Sequence, residues 1–445
     1  MADYDFLIIG AGTSGMAAAK KAAEYGAKVG VIEKEKVGGT CLNRGCTPKK
    51  LMVYAADFAL RESLAVSYGW SKCDRKIDWS LLMQKIHQRL ESISNSFKDT
   101  FADKGIDLIY GEAEFSDRQT VKVKDCEITA DKILIAVGGH PIKPDIPGKE
   151  LAMTSRQMFQ LEKIPSKLAI IGGGYIGVEF SSIMNAFGSE VVLMDTSELI
   201  LSGFDRDLRT NVLQGLVDRG IEFISETTAK KIEQDGDKLK LYLSGNRTII
   251  ADKVLLATGR APSTKSLKLD KADIATGDKG EIKIDEYFCT QNPHVYAVGD
   301  CIDRIPLTPT AKAEALAVVE TLFGKEPQTI DYTYVTSAVF SRPEAATVGM
   351  NEEEARDKYG DDVKCYSDRT TPMLYSLAEE QKEVIIKLVT VGKEEKIVGV
   401  HMVGEHAADM IQCLGVAVRK GITKQDLDDS FGIHPTIGEE FMTLF

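Results

Sequence analysis

The sequence carries one strand-turn-helix-strand arrangement twice, and this repeat constrains the fold more than any other feature. Asp5-Phe6-Leu7-Ile8-Ile9 leads into Gly10-Ala11-Gly12-Thr13-Ser14-Gly15, an Ala/Lys-rich helical stretch from Met16 to Tyr25, and a second apolar run, Lys28 to Ile32, ending in Glu33. Lys167 to Ile171 leads likewise into Gly172-Gly173-Gly174-Tyr175-Ile176-Gly177, a helical stretch to Phe187, and Val191 to Met194 ending in Asp195. Glycines at Gly10, Gly12 and Gly15, and again at Gly172, Gly174 and Gly177, let backbone amides at a helix N-terminus approach a pyrophosphate. An acid at the end of the following strand accepts hydrogen bonds from a ribose. The offset from first glycine to acid is the same in both copies, so two dinucleotide sites are predicted. A further echo joins Asp131–Gly139 to Asp252–Arg260, each an apolar strand running into small residues, and points to a duplicated nucleotide-binding fold.

Cys41 and Cys46 follow the first copy directly, with four residues between them. On a helix whose first turn is made irregular by Gly45 and Pro48, this spacing still brings the two side chains close. They are read as a redox pair that interconverts between dithiol and disulfide without large backbone movement. Two buried, unrelated cysteines are the plainer alternative, since free cysteine is often a core residue. A dithiol beside one nucleotide site, with a second site further on, invites a relay of hydride from a nicotinamide through a two-electron carrier into sulfur. A flavin is a cofactor able to do this, so FAD is assigned to Gly10–Glu33 and the nicotinamide dinucleotide to Gly172–Asp195.

The rest of the chain completes an α/β reading. Leu51–Gly105 has helical patterning, Pro141, Pro144, Pro147 and Gly148 mark a connection, and Val295–Val298 ends in Gly299-Asp300 before a helical stretch from Thr310 to Phe323. From Asp331 antiparallel strand patterns and a helix near Ala407–Lys420 describe an α+β domain. The expected organisation is a discontinuous FAD domain (1–140 and 263–330), an NAD(P) domain (141–262) and an interface domain (331–445).

Lys+Arg 55 against Asp+Glu 67 gives net charge −12, which argues against a nucleic-acid or anionic-membrane partner. Cys41, Cys46, Cys73, Cys126, Cys289, Cys301, Cys365 and Cys413 are scattered, with one close pair, so no disulfide framework is expected. Neither a signal peptide nor a membrane-spanning run is evident, and a cytoplasmic protein is expected. No metal site is predicted. Among the six histidines, His434 stands out because Glu439, five residues on, could orient its imidazole.

Gly38-Gly39-Thr40-Cys41 through Cys46-Thr47-Pro48-Lys49-Lys50, the two Gly-rich units, Gly174–Glu179, Ala257-Thr258-Gly259-Arg260, Val298-Gly299-Asp300 and His434-Pro435-Thr436 together resemble the class I flavoprotein disulfide reductases along the whole chain. Pro48-Lys49-Lys50 and His434–Phe441 are more similar to the glutathione reductase branch than to dihydrolipoamide dehydrogenase. Arg44 and Leu51-Met52-Val53-Tyr54 resemble its cyanobacterial and plant members. The resemblance implies two Rossmann-like domains, for FAD and NAD(P), and a C-terminal α+β dimerisation domain. It implies that Cys41 attacks the substrate disulfide, that Cys46 contacts the flavin, and that Lys49 pairs with Glu179 near it. Tyr175 would gate the nicotinamide pocket, Asp300 would bind the ribityl chain, and Thr40, Gly259 and Arg260 belong to the cofactor motifs. His434 and Glu439 would act across a homodimer interface on the partner's cysteines.

Some positions depart from the family. Asp195 should repel a 2′-phosphate, and Thr196 and Ser202 stand where NADPH-dependent members carry arginines, so NADH is expected over NADPH; Arg206 and Arg209 keep the second possibility open. The substrate-contacting positions read Thr13, Lys20 and Phe97 where the family has serine, arginine and tyrosine. Lys20 loses bidentate geometry and Phe97 a hydroxyl, so glutathione or a glutathione-like disulfide, such as one with modified carboxylates, is expected as substrate. Dihydrolipoamide dehydrogenase, mercuric reductase chemistry without its extra cysteine pairs, and a flavin-bound thiol redox sensor are the alternatives.

Overall fold

Consecutive apolar residues, rather than alternating ones, mark strands covered on both faces. Phe6, Leu7, Ile8 and Ile9 are all buried, as are Val29, Val31 and Ile32 in the next strand. In a computed structural model describing residues 2–72, 76–379 and 381–444, these runs lie side by side in a parallel sheet. The chain divides into two units. The first is discontinuous, built from the segment up to Lys49, Ser80–Ile142 and Gly259–Asp331; the second takes Lys50–Trp79, Lys143–Thr258 and the chain from Tyr332 on.

In the first unit the strands Asp107–Tyr110, Val29–Glu33, Tyr4–Ile9 and Cys126–Ile135 pair in that order, all in parallel. Val295–Ala297 adds to Cys126–Ile135, also in parallel. The sheet carries the unit's core together with the helices Thr13–Glu24 and Thr308–Phe323. Both helices begin earlier than the sequence pattern suggested, at Thr13 instead of Met16 and at Thr308 instead of Thr310. Polar or proline-containing first turns hide a helix start from a reading of apolar period, because these residues serve the N-terminus instead of the core.

The second unit contains a parallel sheet in the order Glu222–Ile224, Glu190–Met194, Lys167–Ile171, Lys253–Leu256. The antiparallel hairpins Ala229–Asp235, Lys238–Leu243 and Thr248–Ala251 form a second sheet. A five-stranded antiparallel sheet, ordered Ser337–Val339, Ala345–Gly349, Lys396–Val403, Val384–Val391, Val363–Thr370, packs against the helix Ala407–Lys420. These are the α/β and α+β textures predicted from the sequence. Among the described residues no helix is long and apolar enough to cross a membrane. Cys73 lies outside the described residues.

Candidate active site

The two Gly-rich turns repeat one another at the level of single hydrogen bonds. Gly10 N–H donates to Ile32 O (2.7 Å) and Gly172 N–H to Met194 O (2.8 Å). A Cβ on Gly10 would sit 2.4 Å from Ala136 O, and one on Gly172 2.4 Å from Ala257 O, with φ +110° and +111°. A Cβ on Gly15 or Gly177 would sit 1.9 Å from the carbonyl oxygen of Gly10 or Gly172, where the helix crosses its own strand. Only glycine fits at these points.

The helices that follow, Thr13–Glu24 and Tyr175–Ala186, start at Gly12 and Gly174 with no side-chain cap and no acid in the first turn. Around Gly174 a Cβ would meet nothing within 4 Å, and around Gly12 only Gly39 Cα at 3.9 Å. Open helix N-termini with free space before them suit a pyrophosphate.

The acids ending each copy do more than the motif requires. Glu33 accepts Ala11 N–H (2.8 Å) and Glu35 N–H (2.7 Å), one on each carboxylate oxygen. Asp195 accepts Gly173 N–H (2.5 Å) and Ser197 N–H (2.8 Å) in the same way. Each acid therefore ties the Gly-rich turn to the chain beyond its own strand, and the orientation it presents to a ribose is set by backbone.

Cys41 and Cys46 sit in the first unit on two helices, Gly39–Arg44 and Cys46–Leu60, separated at Gly45. The sequence suggested one helix with an irregular first turn at Gly45 and Pro48; the chain instead breaks into two helices at Gly45. Gly38 and Gly39 adopt φ of +108° and +59°, and a Cβ on Gly39 would lie 2.7 Å from Gly12 Cα, so this pair lets the cysteine segment rest on the Gly10–Gly15 turn. Asn43 secures the segment by donating from Nδ2 to the carbonyls of Val37 (3.2 Å) and Gly39 (3.1 Å), and Arg44 pairs with Glu35.

The thiols of Cys41, half-buried, and Cys46, exposed, are hydrogen-bonded to each other. That bond, then burial and the charge of Cys46, pushes the Cys41 thiol well above the usual range, while the Thr308 and Thr13 hydroxyls pull it down. Thr308 Oγ1 lies 3.6 Å from Cys46 Sγ. Sequence reading missed Thr308, although Thr308-Pro309 is a recognisable helix start. Thr13, expected at the substrate, stands beside Cys41. Phe97 packs against the core of the first unit, and Lys20 is half-buried on the Thr13–Glu24 helix.

Asp300 and Arg260 come together: Arg260 Nη2 donates to Asp300 Oδ2 (3.0 Å) and to Gly139 O (2.7 Å). Gly259 immediately precedes this strand, Arg260–Pro262. The buried carboxylate of Glu314 accepts Gly299 N–H (2.7 Å) and braces the same turn. Thr40 lies within Gly39–Arg44, and Lys49 ends the first unit.

In the second unit Glu179 is buried and accepts Phe340 N–H (2.9 Å), and Tyr175 opens the Tyr175–Ala186 helix with its ring partly exposed. Beyond Asp195, Arg209 spends its guanidinium on Ile200 O (2.8 Å) and Leu199 O (3.1 Å), and Arg206 faces Glu198 at 3.9 Å. His434 projects into solvent, with Nδ1 at 3.0 and 3.2 Å from the two oxygens of Glu439. Glu439 also accepts Thr436 N–H (3.2 Å), so the carboxylate that orients the imidazole is itself fixed. Among the described residues no cluster of metal-ligating side chains occurs.

Two family models account for most of the chain. Residues 4–315 match the pyridine nucleotide-disulphide oxidoreductase model and residues 335–445 its dimerisation domain. A glutathione reductase of Nostoc sp. is 43% identical, the match covering 99% of each chain. One from Burkholderia cepacia is 37% identical over 99% of this chain and 98% of its own. The chloroplastic/mitochondrial glutathione reductase of Pisum sativum is 38% identical over 99% of this chain and 82% of its own.

Proposed function

The chain belongs to the pyridine nucleotide-disulphide oxidoreductase family, an NAD(P)H-dependent disulfide oxidoreductase, and from that premise we propose that it reduces glutathione disulfide or a glutathione-like small disulfide with NADH. The observation that carries this reading is the pair of contacting thiols, Cys41 and Cys46, in the segment resting on the Gly10–Gly15 turn. FAD is assigned to Gly10, Gly12, Gly15, Glu33, Thr40 and Asp300; Gly259 and Arg260 are assigned to the cofactor motifs, with Arg260 hydrogen-bonded to Asp300. The nicotinamide dinucleotide is assigned to Gly172, Gly174, Tyr175, Gly177 and Asp195. A bound flavin supplies the two-electron step between nicotinamide and sulfur.

In the dithiol state, Cys41 passes its proton to His434 and, as thiolate, attacks one sulfur of the substrate, forming a mixed disulfide and expelling the other sulfur as a thiolate. His434, oriented by Glu439, protonates that leaving group. Cys46 then attacks Sγ of Cys41, restoring the intramolecular disulfide and releasing the second thiol. Two electrons and one proton from NADH, with one proton from solvent, reset the pair. Lys49 and Glu179 are assigned to the electronics of the flavin. Thr13 and Lys20 are assigned to the substrate, with Phe97 completing that wall.

NADH is favoured over NADPH because Asp195 is held rigidly by two backbone amides, and Arg209 is committed to carbonyl oxygens. A panel of glutathione, glutathione amide, lipoamide, trypanothione and cystine disulfides, each assayed with NADH and NADPH, tests the proposal. Turnover of glutathione or glutathione amide disulfide with NADH is expected; a clear NADPH preference overturns the nucleotide assignment, and preferred lipoamide turnover the substrate assignment. A cytoplasmic setting suits thiols that must cycle through their reduced form.

We further assign His434 to the active site of a second copy. Phe431 (99% exposed) and Ile433 (77%), beside it, lie within the match to the dimerisation domain, and a partner would cover them. Cys41→Ser and His434→Gln chains should each be nearly inactive, whereas co-refolding them in equal amounts should recover about a quarter of wild-type activity through mixed dimers. No recovery would place His434 with the cysteines of its own chain.

A further inference from the structure

Lys387 is a lysine in the middle of the Val384–Val391 strand, only 3% exposed, and none of the chemistry above uses it. Its ammonium group meets three carboxylates: Asp205 at 3.1 Å, Asp207 at 2.7 Å and Glu352 at 2.8 Å. An ammonium has three donors, and each here has a carboxylate. Burial would lower the Lys387 pKa, but the hydrogen bonds to Asp207 and Glu352 and the charge and hydrogen bond of Asp205 raise it overall. Glu352 is drawn down to about 2, chiefly by its hydrogen bond to Lys387. Taking the Lys387 and Asp205 charges out of water is costly, and apolar residues of similar volume often serve stability as well. What such a network supplies is a fixed geometry between the elements that contribute to it.

Those elements lead to the second Gly-rich turn. Asp205 caps the Arg206–Asp218 helix by accepting Asp207 N–H (3.0 Å), and its other oxygen accepts Glu352 N–H (3.1 Å) at the start of the Glu352–Tyr359 helix. One turn along, Arg209 holds Leu199 and Ile200 by their carbonyls. The next residue, Leu201, donates its N–H to Gly173 O (2.8 Å), and Ile200 would be the nearest contact of a Cβ on Gly173, at 3.1 Å. Gly173 is also the residue whose N–H Asp195 accepts.

We propose that Lys387 is a positioning residue for the nicotinamide dinucleotide: through Asp205 and Arg209 it sets the 199–205 loop against the Gly172–Gly177 turn and Asp195. This rests on the assignment of that turn to the dinucleotide. Lys387 touches neither nucleotide nor disulfide, and its effect is confined to how the second unit presents its nucleotide site.

The test is steady-state kinetics of the intact holoenzyme with NADH and NADPH, with flavin content and thermal unfolding measured alongside. Lys387→Met should raise the dinucleotide KM about tenfold, with kcat within about twofold and the disulfide KM unchanged, as loss of positioning at one site only predicts. Asp207→Asn, which removes one of three partners at a more exposed position, should raise it about threefold, and Lys387→Arg should stay closer to wild type than the methionine variant. If Lys387→Met does not fold, Asp207→Asn and Glu352→Gln carry the test. Folded variants that keep the wild-type dinucleotide KM overturn the proposal. So does a loss shared equally between kcat and both KM values, which is the mark of general destabilisation. If the wild-type enzyme oxidises neither dinucleotide, the assignment of the turn falls, and this inference with it.

Discussion

The Gly10–Glu33 and Gly172–Asp195 turns share their register, their glycine contacts and the bidentate grip of the terminal acid on backbone amides. They part company beyond the acid. After Glu33 the chain goes through Gly38-Gly39 into the cysteine segment, pressed close to the turn. After Asp195 it enters a loop held by Arg209, and Arg209 by a helix whose cap is fixed to Lys387. One turn is equipped on its own flank with redox sulfur, the other with a brace from a distant strand. Duplicated frames can thus take unlike tasks through the residues just outside the repeated part.

The largest expected effect separates these tasks. Cys46→Ser should lower disulfide turnover by about 10³-fold or more, abolish any long-wavelength absorbance of the reduced enzyme, and leave dinucleotide binding intact. A variant that keeps that absorbance, or loses dinucleotide affinity as well, would break the division between the turns. Next, alanine at the equivalent first glycines should give different defects from the same clash, a Cβ 2.4 Å from a carbonyl oxygen at positive φ. Gly10→Ala should purify with little flavin, judged by its visible spectrum, and Gly172→Ala should keep flavin with a dinucleotide KM raised about tenfold or more. Identical phenotypes would mean that the turns are not specialised.

The smallest effect concerns the brace. A carboxyl whose folded pKa is depressed contributes stability above its ordinary pKa, and this is lost as pH falls through the folded value. For Glu352 that window runs from 4.5 down to about 2. Wild-type protein should lose more stability than Glu352→Gln across this range in acid unfolding experiments. Equal acid sensitivity would show that Glu352 contributes nothing to pH-dependent stability.

Much of the molecule was legible in the sequence because its requirements are local. A glycine that must accept positive φ, an apolar run covered on both faces, and an acid at a fixed offset can each be read within a few residues. The irregular backbone expected near Gly45, and the proximity of His434 to Glu439, five residues apart, are of the same kind. Phe97 is expected at the substrate from its motif position; that its partly buried ring also packs against the first unit's core follows from which face of the Trp79–Asp103 helix meets the sheet.

By itself, then, the sequence determined the two Gly-rich turns, the cysteine pair and the family, since backbone sterics and short spacings carry that information along the chain. Only the tertiary structure decided that Thr308, 262 residues from Cys46, would bring its hydroxyl to that sulfur. It also decided that Arg260 would face Asp300, and that Lys387 would gather carboxylates from about 180 residues earlier and from Glu352. The physical reason is the same each time. A threonine, arginine or lysine carries no local mark of its partner, which is chosen by the strand order and helix crossings that bring distant segments together.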